Sequence, residues 1–337
     1  MSNQLDELRG AIEAHLSAAS GGVAIIRAIE PLTGGACQDN YRVDVTLDGG
    51  ERPGDHVLVL RSDAKKSLPG SLDRRAEFSV IAAAVAAGVK TPTARWLAQG
   101  LVRRGAWAYF LDWIPGTAIG RRVVRDPDLA AARKGLPAAL GAELAKIHTI
   151  RASDPIAPLL THDTDVLAFA RSMVDVLREP RPALELCLRW LADHRPAHVA
   201  HDTVLLHGDY RTGNFMLTPE GLSGVLDWEF AHWGAREEDV AWLCTRTWRF
   251  NQNKLGAGGF ARRDDFYRAY EDASGRTVDR AAVHWYEVLG NVRWAAGCIH
   301  QGERYLSGEE DDLELIAIPR RSVEMEYEAI RLIEKGP

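Results

Sequence analysis

Residues 205–229 read LLHGDYRTGNFMLTPEGLSGVLDWE. A His-Gly-Asp triplet closes at Asp209, an amide follows at Asn214, and a second acid stands at Asp227. Apolar residues bracket both acids, Val204-Leu205-Leu206 before the first and Gly224-Val225-Leu226 before the second. Short apolar runs parted by Gly, Asn, Thr and Pro predict strand, polar loop, strand, turn, strand. Acids presented at strand ends suit a reaction that needs one base and one divalent cation. Phosphoryl transfer is the leading chemistry of that kind.

Upstream, the alternation over 25–30 and again over 41–45 predicts two strands, joined by the small, polar run LTGGACQDN at 32–40. Its Gly34-Gly35 pair can lay backbone N–H groups over an anion, or form an ordinary hairpin. Residues 56–61 (HVLVLR) make a third strand ending in a cation, Arg61. Residues 73–87 predict a helix carrying Glu77 in its first turns, stopped by Gly88 with Pro92 beyond. Residues 96–97 and 106–113 supply further strands, and Ile114-Pro115-Gly116 breaks the pattern as a candidate hinge. A short amphipathic helix over 4–18 precedes all of this, with Leu5, Leu8, Ile12 and Leu16 on one face.

The expected organisation is therefore α+β in two lobes. Residues 1–113 form a small antiparallel-sheet lobe that binds the nucleotide. Residues 114–337 form a large, mainly helical lobe with the catalytic and acceptor-binding groups. Its helices are expected near 136–150, 165–178, 182–194, 238–247, 260–274, 280–304 and 322–333.

Composition narrows the function classes. At 337 residues two lobes are the natural expectation. A net charge of −6, without a long Lys/Arg block, gives no stripe for nucleic acid. The four cysteines show no CxxC spacing, which argues against a zinc ribbon or a disulfide framework and fits a reducing cytoplasm. The first residues lack the basic start and apolar core of a signal peptide. No apolar run approaches the roughly 18 residues a membrane helix requires. The expected partner is a small molecule with a hydroxyl, with no nucleic acid and no membrane; the oligomeric state is left open.

Transfer of a γ-phosphoryl group passes through a loose transition state, so the protein mainly positions groups and neutralises charge. Asp209 is the candidate base, Asn214 and Asp227 the candidate Mg²⁺ ligands, Arg61 the phosphate cation and Gly34-Gly35 the cover. Glu77 is placed to hold Arg61. Each residue alone has a blander use, as a cap, turn former or surface charge. Their joint occurrence in this order is what carries the reading.

HGDYRTGN followed by VLDWE resembles the catalytic and metal-binding segments of the aminoglycoside phosphotransferase/choline kinase-like family, relatives of protein kinases. The resemblance runs from about residue 25 to 333. It takes in GGACQDNYRV as the phosphate hairpin, HVLVLR as the strand that usually bears a lysine, AELAKIH and HWGAREEDVAWL. NVRWAAGCIHQGERYLSG is similar to the subgroup associated with acyl-CoA dehydrogenases. The resemblance implies a two-lobed protein-kinase-like fold, ATP with Mg²⁺ in the cleft, and a hydroxyl acceptor. The subgroup implies a hydroxyacyl-CoA or another apolar hydroxylated metabolite as that acceptor; the alternative is an aminoglycoside, toward which the acids of SGEEDDLE at 307–314 would point.

Two features depart from the broad pattern. Arg61 replaces the usual lysine, keeping the charge but with a planar fork. Asp227 is followed by Trp228-Glu229, where kinases carry Phe-Gly, and Glu229 is either a further metal-facing carboxylate or a structural contact. His207 is expected to brace the catalytic loop, Asp239 to cap or anchor a loop. Arg211 either neutralises the transferring phosphate or pairs with an acid of the fold. Trp233 and Trp248 are candidates to wall the acceptor site. Two other classes remain: a metal-dependent phosphohydrolase built on His201-Asp202, His148, His207 and Asp209, and a non-catalytic nucleotide-binding protein.

Overall fold

The computed structural model describes residues 2–32, 39–64, 68–152, 154–160, 165–197, 203–308 and 313–337. Gly34 and Gly35 of the expected cover, His201-Asp202, and most of the acidic run after Ser307 lie outside these residues.

Alternation of apolar residues builds the first half. Strands β1 (Val23–Pro31), β2 (Asp39–Asp48) and β3 (Gly54–Ser62) pair antiparallel, and β4 (Ala94–Gln99) and β5 (Trp107–Asp112) complete a sheet of order β1-β2-β3-β5-β4. Successive side chains of a strand face opposite ways, and β5 uses both faces. Ala108 and Phe110 join Val43, Val45, Leu58 and Leu60 in a core covered by Ile12 and Leu16 of α1 (Ser2–Ser20). Tyr109 and Leu111 face the other way, onto Val80, Ile81 and Ala84 of α2 (Arg74–Ala86). That second core runs on without a break into the helical half. Asp73 caps α2 by accepting from Ala76 N, as the helix-start pattern predicts.

The helical half holds α3 (Gly120–Arg125), α4 (Ala130–Ile147), α5 (Val166–Asp175), α6 (Pro182–Asp193), α7 (Glu237–Cys244), α8 (Arg263–Ser274), α9 (Arg280–Leu306), α10 (Leu313–Ala317) and α11 (Ser322–Lys335). Helix α4 starts six residues before its expected position, leaving Pro137 inside it. Buried Ala132 and Leu136 extend the apolar face of Leu140 and Leu144 past the proline, and packing outweighs its cost. Between α6 and α7 lie two ribbons, β6 (Thr203–Leu206) with β9 (His232–Ala235), and β7 (Phe215–Thr218) with β8 (Gly221–Val225). Strand β9 is additional to the three strands expected here. No helix among the described residues is long and apolar enough to cross a membrane.

The two halves are stitched through backbone. Just past the Pro-Gly break, within the helical half, Thr117 pairs with Leu217 in both directions, at 2.8 and 3.0 Å. Gly116 there has φ +127°, and a Cβ on it would stand 2.4 Å from Leu217 O. Val225 N donates to Lys90 O (2.8 Å), and Leu72 N to Glu229 O (2.7 Å).

Candidate active site

The β7–β8 ribbon explains the spacing of Asn214 and Asp227. Phe215 pairs with Val225, and Leu226 N donates to Asn214 O (2.8 Å), so the residues just outside the ribbon meet at its open end. Asn214 Nδ2 donates to Asp209 Oδ2 at 2.7 Å and to Asp209 O at 2.9 Å. The three residues read from sequence are therefore one cluster. Turning its nitrogen to Asp209 leaves Asn214 Oδ1 as a hard oxygen donor that receives no hydrogen bond among the described residues. Asp227 adds a carboxylate, in a left-handed conformation (φ +70°) that aspartate tolerates better than most residues. An amide oxygen and a carboxylate are the donors that Mg²⁺ takes, so this pair fits the cation.

Asp209 is held rigidly. Arg211 Nε lies 2.9 and 3.0 Å from its two oxygens, and Trp242 Nε1 donates to Oδ1 at 2.7 Å. Of the two roles weighed for Arg211, pairing with an acid is the one adopted, and its guanidinium also stacks 4.2 Å over the Trp248 ring. The turn behind Asp209 depends on Gly208: φ is +76°, and a Cβ would lie 2.0 Å from Phe230 O.

The loop is anchored from below by Asp239, fully buried on α7. Its carboxylate accepts from His207 N (2.7 Å) and Gly208 N (3.0 Å), and His148 Nε2 lies at 3.3 Å. His207 spans the loop: Nδ1 accepts from Asp209 N (3.2 Å), so Nε2 carries the proton donated to Leu226 O (3.0 Å). Burial pushes its pKa down despite Asp239 and Asp209 nearby, which keeps the ring neutral in that tautomer. His148 is likewise committed, with Nδ1 2.8 Å from Tyr270 OH. With both imidazoles so used, neither is left to ligate the metals of a phosphohydrolase.

On the sheet side, the Arg61 terminal nitrogen reaches Glu77 Oε1 and Asp227 Oδ1, each at 3.0 Å. Burial works against the guanidinium charge, but Glu77, with Asp227 and Glu229, outweighs it and holds the pKa well above the ordinary value. Burial also raises the Asp227 carboxyl, and Arg61, Arg211 and Arg74 more than offset it, so Asp227 is held low and stays an anion. Glu229 makes the structural contact: its Oε2 lies 3.4 Å from Arg74.

Three residues of the site were not singled out from sequence. Arg74, almost fully buried, forms an ion pair with Glu77 Oε2 at 2.7 Å from one helical turn away; the i,i+3 spacing was the available signal. Trp242, on the helix that bears Asp239, had none. Thr91 links Val225 O (2.8 Å) to Trp228 Nε1 (3.1 Å) across the halves. Trp248 does lie beside the catalytic loop, in a tilted stack with Trp242 and Trp294 at 5.5 and 5.2 Å. Trp233 does not: on β9, opposite Leu205, it is buried in the core, so its expected place in an acceptor wall is withdrawn.

Comparison with known proteins gives this geometry its family. A model of the phosphotransferase enzyme family matches residues 28–286. Acyl-CoA dehydrogenase family member 10 of Mus musculus is 28% identical over 205 residues, covering 57% of this chain and 18% of the mouse protein. The chain thus spans under a fifth of that relative's length. A solved structure titled as an aminoglycoside phosphotransferase of Ralstonia eutropha superposes with a TM-score of 0.74 at 20% identity, over 97% of this chain and 98% of that one. A choline/ethanolamine kinase family protein of Mesorhizobium loti gives 0.60 at 19% identity, over 97% and 95%. The fold is accordingly the two-lobed, kinase-like α+β fold expected from the sequence. The chain belongs to the phosphotransferase enzyme family.

Proposed function

We propose that the protein is a Mg·ATP-dependent kinase of a small, apolar hydroxylated metabolite, with a hydroxyacyl-CoA as the first candidate acceptor. The observation that carries the kinase reading is the cluster in which Asn214 bonds the Asp209 carboxylate and, through backbone, Leu226 beside Asp227. In this reading Asp209, fixed by Arg211, Asn214 and Trp242, orients the acceptor hydroxyl and takes its proton. Arg61, held by Glu77, binds phosphate oxygens, with Gly34-Gly35 as the cover. Asn214 Oδ1 and Asp227 hold Mg²⁺, which supplies positive charge to the phosphates. Arg211 fixes Asp209 and lies beside the transferring group. The nucleotide-binding lobe comprises residues 1–113, and the free, buried Cys187, Cys244 and Cys298 suit the cytoplasm.

Charge favours the apolar acceptor. A polycationic amino sugar needs free carboxylates, and three buried glutamates of the helical half are already paired. Glu238 bonds Arg293, Glu287 bonds Arg249 and Arg263, and Glu328 bonds Arg246 and Arg331. What lines the approach to Asp209 instead is the Trp242–Trp248–Trp294 row. The similarity to an acyl-CoA dehydrogenase family member supports the same direction.

The test is ATP turnover against hydroxyacyl-CoA thioesters and aminoglycosides. Thioesters are the expected substrates, and Asp209→Asn is expected to lose about 10²- to 10⁴-fold in rate while still binding Mg·ATP. A wild-type protein that binds no Mg·ATP refutes the kinase reading. Turnover of aminoglycosides without thioesters refutes the acceptor.

A further inference from the structure

We propose that Arg74 is the positioning residue for Arg61: by joining Glu77 to Glu229 it fixes the start of α2 against the Asp227 segment, so that Arg61 is presented to phosphate in one orientation. This rests on the kinase reading above.

The geometry divides the Glu77 carboxylate between two arginines. Oε1 takes Arg61 at 3.0 Å, and Oε2 takes Arg74 at 2.7 Å. A glutamate holding only one cation can rotate after it, whereas here a cation stands beside each oxygen, Arg61 by a hydrogen bond and Arg74 by an ion pair. Arg74 is itself pinned along its length. Its backbone N donates to Asp63 Oδ1 (2.8 Å), and its guanidinium donates to Leu72 O (2.9 Å) and lies 3.4 Å from Glu229 Oε2. Leu72 N in turn bonds Glu229 O (2.7 Å), so side chain and backbone tie the same two segments.

The need for this grip follows from the Asp227 contact. Arg61 is shared between Glu77 and Asp227, each at 3.0 Å. With a divalent cation at Asp227, Arg61 would have to share or yield that carboxylate, and Glu77 would be its remaining restraint. Arg74 keeps Glu77 in place at that moment. A buried ion cluster used this way sets geometry more than net stability.

The experiment compares two ligands by calorimetry, the Mg²⁺ complex of a non-hydrolysable ATP analogue and adenosine, which lacks phosphates. Arg74→Met is expected to weaken the phosphate-bearing ligand about tenfold, roughly one pairing of 1.4 kcal/mol, with adenosine unchanged. Arg74→Lys, which keeps the charge without the fork, should fall between. If Arg74→Met does not fold, Glu229→Gln cuts the same link from the other side and should show a smaller, phosphate-specific loss. Equal losses for both ligands mean a merely structural role, and no loss means no role; either overturns the proposal. Tight wild-type binding of the Mg²⁺ complex separates these outcomes from failure of the kinase reading, which would show as no wild-type binding at all.

Discussion

Glu238→Gln tests whether electrostatics of the catalytic half have been read correctly. Glu238 on α7 is nearly buried; its Oε1 faces His232 Nε2 at 3.5 Å and accepts from Arg293. His232 donates its Nδ1 proton to Phe230 O (2.8 Å), so Nε2 must also be protonated to favour the carboxylate. Burial alone would raise the Glu238 pKa, but His232 and then Arg293 outweigh it and bring it from 4.5 to about 2. A depressed acid contributes stability above its unfolded pKa and loses it as pH falls through the folded one. That difference is worth about 3 kcal/mol at pH 7 and falls to roughly 1.5 kcal/mol by pH 3. His232 is shifted the other way, raised by Glu238 against the effect of burial. Its contribution is complete below about 6.5, the unfolded value, and is lost as pH rises through the folded value. Urea titrations of Glu238→Gln and wild type from pH 3 to 9 should thus give a penalty that peaks near neutrality and shrinks on both sides. A penalty below about 1 kcal/mol at pH 7, the size of an exposed pair, or one flat across pH, refutes the reasoning.

Asp239→Asn places an amide NH₂ against the backbone N–H groups of His207 or Gly208. It should cost about 3 kcal/mol in urea titration and lower kcat, because the loop bearing Asp209 loses its anchor. Gly116→Ala must adopt φ +127° and press on Leu217 O, and should cost about 2 kcal/mol or more. Gly135→Ala, inside α4 with open space around it, should instead stabilise by about 0.5–1 kcal/mol, and thermal shifts of opposite sign would check the pair.

Much of the site was legible because phosphoryl transfer demands particular residue types in a particular order. Asp209, Asn214 and Asp227 sit around a hairpin short enough for sequence spacing to imply proximity. Arg61 and Glu77 were legible as the end of one strand and the start of the next helix. Arg74 escaped because one of its partners, Glu229, is 155 residues away, and no local pattern encodes such a pairing. Trp242 escaped for the same reason: an indole N–H on an apolar helix looks like core until Asp209 is placed beside it. Strand β9 escaped because His232-Trp233-Gly234-Ala235 is short, holds a glycine and has no β-branched residue; its pairing with β6 decides it.

The backbone stitches between the halves bear on how far the halves can part. One tether lets a body swing in any direction, and two let it turn about the line joining them. Here there are two backbone tethers, Leu72 to Glu229 and Lys90 to Val225, and the chain itself at the Pro-Gly break is the third, fixed just beyond by Thr117 on Leu217. Wide opening of the cleft must therefore break at least one, at a net cost near 1 kcal/mol for each hydrogen bond. Relative motion of the two halves is thus coupled to the breaking of named backbone hydrogen bonds.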